Sequence, residues 1–299
     1  MVGGVRPSAL GSEPNASLPG DGIIDAHVHF WNPAELRYPW ISGLPPLDRS
    51  FLASDYANAS TGISLESVIL VEANCLPGET LREVDFFERS AESDARVAGI
   101  VAFASLTVPG ELDRVLDALA SRPRVKGIRH NIQGEASGFC TQASFVEGVR
   151  KVGARGLTFD LCATHDQLPE VIQLVRACPD TRLVLDHCGK PAIRDGLLDP
   201  WRADIACLAE CANVWCKLSG LVTEAAHTAW REPDLVPYAS HVVEHFGTER
   251  VMYGTDWPVL TLAARYIDWF SFTERFTASW TDAERRRLYR DNASRAYAL

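Results

Sequence analysis

A chain of 299 residues is too long for a minimal module and suits one large α/β domain or two small ones. Its 46% hydrophobic and 23% charged residues provide ample material for a core and exclude a disordered, collagenous or fibrous protein. The net charge of −10, with no block of five basic residues, argues against a nucleic-acid partner, because phosphate binding needs a clustered cationic face.

The first 22 residues are rich in Gly, Pro and Ser and lack the apolar core of a signal peptide, so they read as a flexible leader. From residue 23 onward, short apolar runs alternate with amphipathic stretches. Buried strands are expected at 23–30, 67–73, 97–106, 125–132, 157–163, 182–188, 214–219 and 250–253. They are rich in Val, Ile and Leu without polar alternation, as in a parallel sheet covered on both faces. Helices are expected between them at 80–93, 110–121, 144–153, 165–177, 201–211 and 236–246, with a last one at 281–298. Eight such units predict a single-domain (β/α)8 barrel, the TIM barrel, over residues 23–299. A doubly wound open sheet is the alternative, weakened because no G-x-G-x-x-G follows a strand. Residues 31–56 read as an irregular substrate loop. The eight cysteines form no CxxC pair and read as buried small hydrophobes of a cytoplasmic protein. No apolar run approaches the roughly 20 residues of a membrane span, so no membrane partner is expected.

Three strand ends carry the chemistry. In Asp25-Ala26-His27-Val28-His29, two histidines two residues apart on a strand share one side. At the C-terminal end of a barrel strand that side is the active-site mouth, where two imidazoles can hold a divalent metal or polarise a carbonyl. The sixth strand ends in Asp186-His187-Cys188-Gly189-Lys190-Pro191, and the last in Gly254-Thr255-Asp256-Trp257-Pro258. A carboxylate in that last position can bind a metal or take a proton from water. Each signal alone is balanced by an ordinary structural role.

Together, His-x-His on strand one, His187 on strand six and Asp256 on strand eight resemble the amidohydrolase superfamily. The segments Phe30-Trp31, Tyr38-Pro39-Trp40, Val125-Lys126-Gly127-Ile128-Arg129, Lys217-Leu218-Ser219-Gly220 and Asn292-Ala293 narrow the resemblance to the amidohydrolase-2 type and its sugar-lactonase branch. The resemblance covers about residues 23–299. It implies a hydrolase that opens a cyclic ester, such as an aldonolactone, to the hydroxy acid. It also implies one divalent metal, zinc first among the candidates, on His27, His29 and Asp256, or metal-independent hydrolysis. A two-metal site is not expected: Lys126 sits at the start of strand four, and strand five carries Asp160 and no histidine.

On this reading Asp256 is the general base. His187 bonds the carbonyl oxygen or the water, or protonates the leaving alkoxide. Arg129 stabilises the oxyanion. Glu72, His130 and the aromatic residues Trp31, Tyr38, Trp40 and Trp257 are expected to contact substrate. Asp160, His165 and His227 are weaker candidates. The alternatives are a lactonase for dicarboxylate or aromatic breakdown products, a metal-dependent decarboxylase of the same superfamily, and a non-catalytic barrel. The small-molecule partner is the lactone, and an oligomer is possible on this pattern.

Overall fold

A computed structural model describes residues 22–108 and 110–299; the leader expected at 1–22 lies, except for Gly22, outside the described residues. Eight parallel strands follow in chain order: β1 Ile23–Val28, β2 Leu65–Val71, β3 Val97–Phe103, β4 Val125–Arg129, β5 Thr158–Leu161, β6 Leu183–Leu185, β7 Val214–Leu218 and β8 Val251–Tyr253. Each pairs with its chain neighbour. The ring closes just beyond the named strands, where His29 N donates to Trp257 O (2.7 Å) and Asp256 N to His27 O (2.9 Å). This is the (β/α)8 barrel expected from the alternation of runs.

The helices are α1 Ala53–Ala59, α2 Thr80–Ser93, α3 Leu112–Ala120, α4 Ala143–Ala154, α5 Leu168–Ala177, α6 Trp201–Ala209, α7 Leu221–Glu224, α8 Glu232–Phe246, α9 Tyr266–Phe276, α10 Asp282–Arg286 and α11 Asn292–Tyr297. Three differences from the sequence reading have local causes. The stretch at 31–56 is not wholly irregular, because Asp55 accepts from Leu52 N and starts α1. Helix α8 begins at Glu232 rather than 236. Pro233 falls in its first turn, where a missing N–H costs little, Asp234 accepts from Arg231 N, and the helix runs on past Pro237 in its interior. Helix α9 falls where the sequence pattern predicts none; Asp268 accepts from Arg265 N at its start, and Trp269 and Phe272 face inward. The helical run expected at 281–298 is α10 and α11 joined by a π turn at Arg287–Asp291.

The core has two parts. Between the strands and the helices lies the larger cluster, including Val68, Ile128, Phe159, Leu185 and Leu218. Inside the barrel Ile24, Ile69, Val71, Val101, Val184 and Met252 pack against Ala293, Ala296 and Tyr297 of α11, which closes the N-terminal end. Above this apolar plug the barrel interior turns ionic, and that layer supports the site.

Candidate active site

The two histidines reach the mouth through a backbone irregularity. The β1–β2 register slips by one residue between Asp25 and Val28. With Ile24 and Ala26 facing the interior, strict alternation would turn His27 and His29 outward, and the bulge re-aims them. Ala26 packs inside the barrel, Asp25 outside it against Tyr56 and Tyr266, and His27 and His29 both point into the mouth. Their Nε2 atoms lie 3.0 Å apart. Gly254 lets β8 pass close by, since a Cβ there would sit 3.1 Å from that of His27.

Asp256 and His187 arrive on left-handed backbone. Asp256 has φ +63°, and its Oδ1 lies 3.3 Å from His29 Nε2, 3.7 Å from His27 Nε2 and 3.9 Å from His187 Nε2. After β6 the chain makes a left-handed turn, with φ +52° at His187, +54° at Cys188, +68° at Gly189 and +45° at Lys190. Left-handed conformation costs a side-chain-bearing residue roughly 1–2 kcal/mol, so a run of this kind persists only where its surroundings enforce it. Here Cys188 donates its thiol to Lys217 O, Trp201 Nε1 donates to Cys188 O, and Lys190 N donates to His187 O. A Cβ on Gly220 would lie 2.8 Å from the His187 ring, so only glycine admits the imidazole. His187 Nδ1 bonds Ser219 Oγ at 2.9 Å.

Beneath these groups lies a layer of buried charge. Lys217 Nζ is 2.6 Å from Asp160 Oδ2, 2.9 Å from Asp186 Oδ1 and 3.1 Å from His27 Nδ1. Arg129 engages Glu72 Oε1 (2.5 Å), Glu72 O (2.7 Å) and Asp186 Oδ2 (3.2 Å). Tyr297 donates from α11 to Asp160. Burial favours the neutral imidazole, and Lys217 adds to that at His27, which is held well below the ordinary histidine range. Burial likewise brings His187 down to about 4. For Asp256 burial works the other way, but the three imidazoles outweigh it and hold the carboxyl well below the usual carboxylate range. Near neutral pH His27 and His187 are therefore uncharged beside an ionised Asp256.

These donor atoms fit one divalent cation. His29 Nδ1 bonds the Val71 carbonyl at 2.9 Å and must donate to it, so its Nε2 is a lone pair facing the His27 ring and Asp256. Asp186 Oδ1, paired with Lys217 Nζ at 2.9 Å, also lies 3.3 Å from His27 Nδ1. A proton on His27 Nδ1 turned to that oxygen, in place of the bond that Nδ1 would accept from Lys217 Nζ, would free Nε2 as a ligand, with the carboxylate fixing the tautomer. The possible ligand atoms of His27, His29 and Asp256 lie within 4.8 Å of one another, as do those of His27, Asp186 and His187. A third such group, His241, Glu244 and His245, sits on α8 away from the mouth.

The remaining expected residues divide. Arg129 and Glu72 are both in the mouth, paired with each other. His130 faces the other way. It accepts from Leu106 N and packs against Phe103, Phe139 and Phe145, because neighbouring strand residues point to opposite faces. Trp31, Tyr38 and Trp257 are buried in one aromatic cluster with Phe30, Phe51 and Tyr56. Trp40 is only half-buried and donates to Ala73 O just past β2. Lys126 lies at the barrel base, donating to Ala298 O. His165 borders a cleft beside the mouth, and His227 bonds Thr223 O. The sequence reading missed the supporting roles of Asp186 and Lys217. Their signal was available: a charged residue inside an apolar barrel strand has to find a buried partner.

A closed barrel that gathers three imidazoles and a carboxylate at its C-terminal mouth defines the class of barrel enzymes that can assemble a single-cation hydrolytic centre. The chain belongs to the amidohydrolase family, whose sequence model, described as amidohydrolase, matches residues 24–299. It is 35% identical to an L-fucono-1,5-lactonase of Burkholderia multivorans, over 92% of this chain and 96% of that one. It is 25% identical to an L-rhamnono-gamma-lactonase of Scheffersomyces stipitis, over 93% and 98%. A crystal structure of a Burkholderia multivorans amidohydrolase with bound zinc superposes with a TM-score of 0.85 at 35% identity, covering 93% of this chain and 99% of that one.

Proposed function

We propose that the protein hydrolyses a sugar lactone, opening the ring ester of an aldonolactone to the open-chain hydroxy acid by attack of water. The observation that carries this is the convergence of His27, His29 and His187 on Asp256 Oδ1. It occurs in a chain similar throughout its length to an L-fucono-1,5-lactonase. One divalent cation, zinc first among the candidates, held by His27, His29 and Asp256, would supply Lewis acidity toward the ester and the water.

Asp256 receives a proton from the attacking water and returns it to the ring oxygen as the ester C–O bond breaks. Held so far below the usual carboxylate range, it is a weak base, so the reaction suits an ester more than an amide. His187 stays neutral. With Ser219 Oγ–H donating to Nδ1, its Nε2–H is free to donate to the lactone carbonyl oxygen. Arg129, engaged by Glu72 and Asp186, acts by holding those carboxylates and by placing positive charge 3.4 Å from His27 Nε2. The cysteines are all free, which suits a reducing compartment such as the cytoplasm.

The test is acid release from a panel of aldono-1,4- and 1,5-lactones, with metal content measured before and after chelation. Hydrolysis should fall on chelation and return on metal addition. Asp256→Asn should lose at least about two orders of magnitude in kcat while melting like the wild type. No acid from any lactone would overturn the activity. A full rate after complete metal removal would overturn the cation's part in it.

A further inference from the structure

Arg129, the cation that the sequence places in the mouth, has its guanidinium bonded to Glu72 and Asp186. Lys190 is differently placed. It ends the left-handed turn that also carries His187, so the same enforced backbone aims both residues. Its side chain is 17% exposed, and among the described residues its nearest acidic oxygen is Glu224 Oε1, 3.8 Å away and beyond hydrogen-bond reach. Glu224 ends α7, directly after β7, and is 29% exposed. Burial opposes the charge on Lys190, but Cys162, then Glu224 and Asp256, outweigh it, so the ammonium persists. The two side chains line a cleft of about 410 Å³ with Thr164, His165 and Arg194.

We propose that Lys190 and Glu224 form the hydroxyl-recognition pair of this enzyme, gripping a polyol hydroxyl of the lactone between an ammonium donor and a carboxylate acceptor. A sugar hydroxyl both donates and accepts, and it bridges two such groups set slightly too far apart to bond each other. The pair selects a hydroxylated ring over a bare one and takes no part in the bond making at Asp256. The assignment rests on the lactonase reading.

The experiment compares wild type, Lys190→Met and Glu224→Gln on an aldono-1,5-lactone and on unsubstituted δ-valerolactone, with melting curves as the folding control. Each substitution should raise KM for the aldonolactone about tenfold or more, as loss of a charge-assisted hydrogen bond does, and change kcat by less than about threefold. Rates on δ-valerolactone should stay within about threefold of the wild type. If the wild type is too slow on the bare ring, the KM-against-kcat split on the aldonolactone decides. An unchanged KM, or an equal loss of kcat on both substrates, would overturn the pair; the second result would move Lys190 to the reacting carbonyl. A wild type inactive on every lactone would instead sink the lactonase reading beneath it.

Discussion

Lys217 shows how much one side chain carries here. It is fully buried and is the cation shared by Asp160 and Asp186 beneath His27. Removing one member of a buried ion network leaves the others uncompensated, which costs more than the network contributes when whole. Lys217→Met should therefore lose about 3–5 kcal/mol of stability in denaturant unfolding. A loss below about 1 kcal/mol would mean that water or rearrangement already compensates the two carboxylates. The same residue marks the limit of sequence reading. A lysine within Val-Trp-Cys-Lys-Leu announces a buried charge, but the strands supplying Asp160 and Asp186 are assigned to it only by the ring order of the barrel. His130 makes the complementary point. Next to Arg129 in sequence, it faces the aromatic layer because β4 sends Arg129 inward.

At the scale of elements, α2 brings a second buried acid against the end of β2. Glu83 Oε1 accepts from Ala73 N at 3.0 Å, while Oε2 has no hydrogen-bond partner among the described residues. Burial, reinforced by the charge of Glu72, pushes its carboxyl from the ordinary 4.5 up to about 8. A group whose folded pKa is raised contributes stability that is intact below its unfolded pKa and lost as pH rises through the folded one. The window is thus about pH 4.5 to 8. Glu83→Gln keeps the acceptor for Ala73 and cannot ionise. Its melting temperature relative to wild type should climb across that window, as thermal melts at pH 5 and pH 8.5 would show. A difference independent of pH would mean that Glu83 ionises freely in the folded protein. Elements also record where pattern reading stops. The strands were readable because most of their residues on both faces are apolar. Helix α1 buries only Tyr56, too little for a hydrophobic period, whereas α9 carries Tyr266, Trp269 and Phe272 at helical spacing; at their starts Asp55 and Asp268 accept from backbone N–H groups.

For the whole molecule, the site depends on both ends of the barrel. Tyr297 of α11 reaches through the base to Asp160, and Ala293, Ala296 and Tyr297 cover Ile24, Val101, Val184 and Met252. A chain ending before Asn292 should expose that interior and lose cooperative thermal unfolding, read by calorimetry and by elution as aggregate. A cooperative melt within a few degrees of the full chain would show that the barrel closes without its plug. The sequence by itself determined the alternation of eight strands with helices, the family, and the four residues that meet at the mouth. Those features are local, because runs of apolar residues and motifs at strand ends are legible along one dimension. Only the tertiary structure decided that the β1 bulge turns both histidines inward, that Arg129 is bonded to Glu72 and Asp186, and that Lys190 shares the enforced turn of His187. Each depends on contacts between strands far apart in the chain, where closure of the ring selects which buried charges face one another.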